Sequence, residues 1–412
     1  MKILLVTPMP PRPQAPGAIP MILHALLAGL SVRHDLTLVT VAGPDPQEWE
    51  AIERLRTSGI EVHAIKRSQL HALPRWQRRW RLASAWLRGQ WPWRTVWFWE
   101  PEMQQILDRL HAEKHFDLVQ VEDNAMGIYR YRTRAPKILT EYEVRRPRPI
   151  NWHGWSQPGR MAWAFIEADW RRWPLYQRAV WRRFERIQVF TARDAETMRA
   201  IMPEVASRIR VNPFGVELPE AADPSREEDK TLVFVGNFTH PPNVDAALWL
   251  GHEIMPSLRE HCPGVQLLLV GIHPPEPVRA LACADIVVTG AVPKIEPYLE
   301  RAAVVLAPIR TGGGQRMKVL HSMAMGKAVV TTPRGAEGLA IGGCTPPVVV
   351  AEDAQGIAAG VAALLDSDAT RCELGHSARV FAAEHYNPNA YARRLEAIYA
   401  ELQIEQTAEL RQ

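Results

Sequence analysis

The stretch Ile309–Leu339, IRTGGGQRMKVLHSMAMGKAVVTTPRGAEGL, holds the pattern on which the reading of the whole chain turns. Gly312, Gly313 and Gly314 leave their backbone amides without side-chain cover. From Arg316 onward the spacing becomes helical, with Leu320, Met323 and Ala324 on one face. A glycine turn feeding a helix N-terminus gathers unpaired N–H donors whose partial positive charge attracts anions, and Arg316 and Lys318 add full charges beside them. The pattern predicts a phosphate cradle. On their own the glycines fit a surface turn equally well, so the surrounding chain has to decide.

The 412 residues suffice for two or three domains with a sizeable core, and the 47% apolar and 23% charged fractions are those of a soluble globular protein. A net charge of +4 is mild, so the placement of the arginines matters more than the total. Cys262, Cys283, Cys344 and Cys372 lack metal-ligand spacing, which argues against a metal centre and fits reduced thiols in a cytoplasm. The apolar run at the start ends before Pro8, too short for a signal segment or a span. A cytoplasmic protein is expected, able to lie on a membrane but not to cross it.

Lys2–Thr7 (KILLVT) reads as a strand buried on both faces, followed by a Pro/Gly-rich loop, a helix over Met21–Leu30 and a second strand at Leu36–Val41. Ligands of open parallel sheets bind beyond the carboxyl ends of the strands, which directs the loop containing Gly17 toward the active site. Ile60–Ile65, Leu118–Val121, Lys137–Thr140 and Ile187–Thr191 continue the series. After the charged stretch Glu220–Lys230, read as a linker, a second series begins: Leu232–Gly236, Val265–Gly271, Ile286–Thr289, Val304–Ala307 and Ala328–Thr331. The expectation is an α/β protein of two parallel-sheet domains with a ligand cleft between them. Tyr391, Leu395, Ile398, Tyr399 and Leu402 then give the tail a helical apolar face that needs a surface to cover.

All of the fifteen tryptophans except Trp49 and Trp249 fall in residues 71–99 and 145–186, interleaved with arginine. Such segments suit an anionic membrane interface or a lipid-linked acceptor, with single-stranded nucleic acid a weaker alternative. They equally suit helical hairpins that pack tryptophan inward while arginine reaches solvent.

FVGNFTHPPNVDAALWL at 234–250, LLLVG at 267–271 and VTGAVPKIEPYLERAAVVLAPI at 288–309 stand in order before the opening stretch. On these residues the chain resembles the retaining glycosyltransferases of the family 4 type (group 1), which have the GT-B fold of two Rossmann-like domains. The resemblance implies an acceptor-side domain over residues 1–215, a nucleotide-sugar domain over 216–386 and a C-terminal helix, 387–412, that crosses back to the first domain. It implies a UDP- or GDP-linked donor sugar with the base near Val292, Pro293 and Ile295. The diphosphate would lie near Gly236, Asn237, Arg310, Gly312, Gly313, Gly314, Arg316 and Lys318, and Gly17 would approach from the first domain. No metal or other cofactor is implied, because cationic side chains and helix dipoles take the charge of the leaving group.

Two departures stand out. The family commonly carries two glutamates seven residues apart, and this chain has Gly313 and His321 at those positions. His321 keeps a ring nitrogen able to bond a ribose hydroxyl but removes a carboxylate. The arginine and lysine that often follow the first donor-domain strand are replaced by Asn237 and the segment His240–Asn243. In the first domain, Glu122 and Asp123 follow one strand, and Glu141 and Glu143 the next. Either pair would orient an acceptor hydroxyl, with Glu122 and Asp123 the catalytic candidates. The leading expectation is transfer of a sugar to a glycan or lipid-linked acceptor, with retention, in exopolysaccharide or cell-envelope synthesis, and with no nucleic-acid partner. The alternatives are a nucleotide- or glycan-binding pseudoenzyme of the same fold, suggested by His321, and a nucleotide-sugar epimerase.

Overall fold

The computed structural model describes residues 1–412 apart from 16, 68–79, 81–82, 85, 88–90, 143, 145–159 and 411–412. Contacts divide the chain into two compact units: residues 1–13, 26–212 and 392–412 form the first, and 14–25 with 213–391 the second.

The first unit is built on strands β1 (Lys2–Thr7), β2 (Asp35–Ala42), β3 (Glu61–Lys66), β4 (Leu118–Glu122), β5 (Lys137–Glu141), β6 (Arg186–Val189) and β7 (Ile209–Val211). All pair in parallel, in the order β3-β2-β1-β4-β5-β6-β7. The apolar runs predicted as doubly covered strands are so: Ile3 to Val6 have no exposed surface. The strand order reverses between β1 and β4, which puts the turn after Glu122 at the crevice where such sheets bind ligands.

The second unit repeats the plan with β8 (Thr231–Val235), β9 (Gln266–Val270), β10 (Ile286–Gly290), β11 (Val304–Ala307), β12 (Val329–Thr331) and β13 (Val349–Val350), in the order β10-β9-β8-β11-β12-β13. Its reversal lies between β8 and β11, so Gly236 and the glycine run Gly312–Gly314 leave neighbouring strands on the same side. The short β13 has no counterpart in the predicted series. Glu220–Lys230, expected as a linker, is part of the second unit. Glu227 pairs with the buried Lys327 (2.6 Å) and with Arg371 (2.8 Å), and Glu228 pairs with Arg301 (2.7 Å). Most of the stretch is exposed, but its charges are partnered at Glu227 and Glu228.

The last helix, Pro388–Leu410, buries the apolar face read from the sequence: Leu395, Tyr399 and Leu402 are at most 3% exposed. From Ala392 onward it belongs to the first unit. There Tyr399 donates to Gln120 on β4 (3.2 Å), while Glu396 pairs with Arg33 (2.7 Å) and Glu401 with Arg210 (2.7 Å).

The described tryptophans of the Trp/Arg segments divide between two environments. Trp173 and Trp181 are buried. Trp86 donates to Asp169 (2.7 Å) beneath the Arg172 guanidinium, 3.5 Å from its ring centre, and Trp99 stacks on Tyr129. Trp80, Leu87 and Leu175 are 69%, 70% and 58% exposed. Inward packing accounts for the first set and leaves the second without a structural task.

Candidate functional site

The cradle read from the sequence sits at the reversal point of the second sheet. Gly312 and Gly314 have φ of 86° and 79°, left-handed values that glycine adopts without strain, so the run turns sharply after β11. Arg316 stands at the N-cap of the helix Met317–Ala324 without a side-chain cap bond of its own, and no acidic residue lies in the first turn. A helix start with these properties attracts an anion. Across from it, Gly236 ends β8. A side chain there would meet Asn243 Cβ at 3.1 Å, and one on Gly312 would meet Pro242 at 3.0 Å. The segment His240–Asn243 thus packs directly on the glycine run.

The cations around this turn are unequal. Lys318 Nζ donates to Asn243 Oδ1 (2.6 Å) and lies 4.3 Å from the centre of the Phe234 ring. Burial pushes its ammonium down to about 7, with the charge of Arg316 adding to the effect. Arg316 folds back over the run and donates to the Thr311 carbonyl (3.2 Å). Arg310 is committed elsewhere, making two bonds to Asp245 (2.6 and 3.1 Å) and stacking over Trp249. Asn243 also donates to the Asn237 carbonyl (2.7 Å), so one amide ties the end of β8 to Lys318. The substituted segment after β8 brings no cation of its own; it holds the one on the facing helix. Phe234, Asn243, Asp245 and Trp249 were not among the predicted site residues, and only the unusual His-Pro-Pro-Asn run marked the place.

His321 lies one turn beyond Lys318 on the same face, is 7% exposed, and points Nε2 at Glu296 Oε1 across 3.5 Å. Its presence holds the Glu296 carboxyl below the usual carboxylate range. Glu296 opens the helix Glu296–Arg301, directly after the loop carrying Val292, Pro293 and Ile295. In that loop Val292 and Ile295 are half-buried and Pro293 is exposed. The carboxylate missing from position 321 is therefore present nearby, supplied by another helix.

Residues 229–367 match the family model of Glycosyl transferases group 1. The match covers most of the second unit. No curated protein sequence matches the chain. Among solved structures, it is similar to Anabaena Alr3699/HepE in complex with UDP and glucose, at 13% identity over 97% of this chain and 100% of that one, TM-score 0.66. It is also similar to sucrose-phosphate synthase from Thermosynechococcus elongatus, at 16% identity over 98% and 99%, TM-score 0.66. An E. coli trehalose-6-phosphate protein bound with UDP-2-fluoro glucose matches at 9% identity over 97% and 99%, TM-score 0.60. Its two parallel-sheet units have the GT-B fold.

In the first unit the carboxylates at the ends of β4 and β5 form a buried group. Glu122 has no exposed surface and accepts from Gln120 (2.8 Å), Thr140 (2.9 Å) and Tyr142 (2.9 Å), so it ties β4 to β5 and offers no oxygen to solvent. Burial raises its carboxyl above the ordinary range, and raises that of Glu141, which accepts from Trp181 Nε1 (2.7 Å) and Asn124, far more. Asp123 is buried as well, at 4% exposure, but its backbone is unusual. Its φ of 74° is a strained setting for a side-chain-bearing residue, held by a bond from the Ala125 amide to its own carboxylate (2.8 Å). Glu143 lies outside the described residues. Gly17, expected in the first domain, groups by contacts with the second unit instead; it is exposed just before the helix Ala18–Leu30, with no atom within 4 Å of where a Cβ would stand. In the first unit, a cavity of about 450 Å³ opens between Trp91, Ile128, Tyr131 and the helix face Leu175–Arg183.

Proposed function

We propose that this protein moves a sugar from a nucleotide diphosphate-sugar to a hydroxyl of a glycan or lipid-linked acceptor, with retention at the anomeric carbon. The observation that carries the reading is Lys318, a cation held in a desolvated position beside an uncapped helix start and a glycine turn. As the bond from the anomeric carbon to the β-phosphate oxygen breaks, its electron pair passes to the diphosphate. The acceptor oxygen takes its place and gives up a proton. Charge grows on the leaving group, and Lys318, Arg316 and the amides after Gly314 are proposed to receive it. The same donors supply what a divalent metal would, so the reaction is proposed to run without one. UDP and glucose accompany Alr3699/HepE, which favours a UDP-sugar within the UDP/GDP class. Asp123, strained at the reversal point of the first sheet, is proposed to orient the acceptor, with Glu122 fixing the strand edge behind it.

A thermal-shift screen of UDP-, GDP- and ADP-sugars, run with a chelator present, tests this. A true donor at 100 times its Kd adds about 2.7 kcal/mol, and so raises Tm by about 5–10 °C. No shift with any of them, at concentrations up to millimolar, would count against the reading.

Because the Lys318 ammonium titrates at about 7 in the free protein, donor affinity is expected to depend on pH. Bound anion favours the charged form, so the complex takes up a proton wherever free Lys318 is neutral. Affinity is highest below pH 7 and falls above it, approaching about tenfold per pH unit. A nucleotide-sugar has no phosphate proton near neutrality, and its base keeps its ring proton, so calorimetry from pH 6 to 8 follows the protein's own titration. Lys318→Arg removes the slope, and a flat wild-type profile would refute the assignment.

The exposed Trp80, Leu87 and Leu175, with the arginines interleaved among them, are proposed to rest on an anionic membrane surface near a lipid-linked acceptor. Among the described residues no helix is long and apolar enough to cross a membrane. The protein is expected to float with vesicles of anionic lipid at low salt and to be released at about 0.5 M salt, where screening is short-ranged. Absence of flotation at low salt would leave these side chains unexplained by lipid.

A further inference from the structure

We propose that Glu296, positioned by His321, is the residue that reads the ribose hydroxyls of the donor nucleotide. The inference rests on the donor reading above and adds to it a specificity-determining residue and its support. If the diphosphate lies at Arg316 and Lys318 and the base against Val292–Ile295, the ribose must span the ground between them. The His321–Glu296 contact occupies that ground: one partner stands a helical turn past Lys318, the other immediately follows Ile295.

The chemistry fits a vicinal diol. A carboxylate accepts from two hydroxyls at once, whereas an imidazole offers one acceptor at most. Glu296 keeps about a third of its side chain exposed, so it can meet a ligand, and His321 is almost fully enclosed, so it cannot reach far. Among the described residues His321 Nε2 has no hydrogen-bond partner, and Glu296 at 3.5 Å is the acceptor it faces. At that distance the pair is unfinished as a hydrogen bond. A small turn of the carboxylate toward the ribose and ring closes it. Glu296 is thus the contact residue and His321 a positioning residue, so the histidine at 321 relocates the ribose carboxylate instead of abolishing it.

The test is calorimetry on the full chain with UDP, GDP and ADP, followed by the 2′,3′-dideoxy form of whichever binds. Wild type is expected to prefer the ribonucleotide by about tenfold or more, as bonds from hydroxyls to a charged acceptor do. In Glu296→Ala the preference falls to within about twofold, with dideoxy affinity unchanged. His321→Ala lowers the preference partway, and His321→Gln, whose amide N–H stands where Nε2 was, restores it. Equal weakening of both nucleotides by Glu296→Ala would overturn the proposal while leaving the donor reading intact. So would a His321→Gln variant no better than His321→Ala. A wild-type chain that binds no nucleoside diphosphate would overturn the donor reading, and this inference with it.

Discussion

Lys318→Met is expected to lower sugar turnover by about 10²–10³-fold, the loss typical when one preorganised donor is taken from a developing negative charge, and to leave the protein no less stable. The two halves of that expectation have one cause. The ammonium is set over the Phe234 ring and bonded to the neutral amide of Asn243, with no carboxylate paired to it among the described residues, and burial pushes it down to about 7. Holding a cation there opposes folding in the empty state, and methionine fills the same space without that penalty. Neither neighbouring cation occupies the place of Lys318. Arg310 is held by Asp245, and Arg316 is turned onto the Thr311 carbonyl. Initial rates of nucleoside diphosphate release, read beside Tm, check the pair of outcomes. A parallel fall in Tm and rate would mean that Lys318 is a packing residue.

The second large effect is on folding. Gly271, at φ 151°, ends β9 so close to β8 that a Cβ would stand 1.7 Å from the Gly236 carbonyl oxygen and 2.7 Å from its carbon. Both atoms belong to backbone, and they are locked by bonds from the Gly236 amide to Val270 (2.9 Å) and from Phe238 to Ile272 (3.0 Å). Neither strand end can yield without losing ladder bonds. Gly271→Ala is therefore expected to destabilise the second unit by about 3–4 kcal/mol, from overpacking and backbone strain together. That amounts to a Tm lower by about 10 °C. A variant that melts with the wild type would show that the two turns are not in contact.

Much of this was legible in the sequence because both sheets are parallel and fully covered. Runs such as KILLVT and LLLVG can be little else than buried strands, and a glycine run before Arg316 and Lys318 declares an anion site without knowledge of its partners. What was not legible depends on distance along the chain. Lys318 meets Asn243 across 75 residues, and Glu227 meets Arg371 across 144, so the first looked like a free cation and the second like part of a solvated linker. Glu296 was in plain view beside Ile295, but nothing in its neighbours says that His321 faces it. Glu122 looked like a cleft carboxylate because it ends a strand. Its enclosure comes from Gln120, Thr140 and Tyr142, two of them on or just after β5. β13 is only Val349–Val350, too short to show a period.

The central claim is that the second unit binds a nucleotide diphosphate-sugar for transfer, with Lys318 taking charge from the leaving group. The most direct measurement incubates wild type and Lys318→Met with UDP-, GDP- and ADP-sugars and follows released nucleoside diphosphate, with and without a glycan acceptor. The account predicts that wild type consumes at least one of these donors, faster with acceptor, and that the variant does so about 10²–10³-fold more slowly. Wild-type protein that leaves every donor intact, or a variant that matches it, would contradict the account.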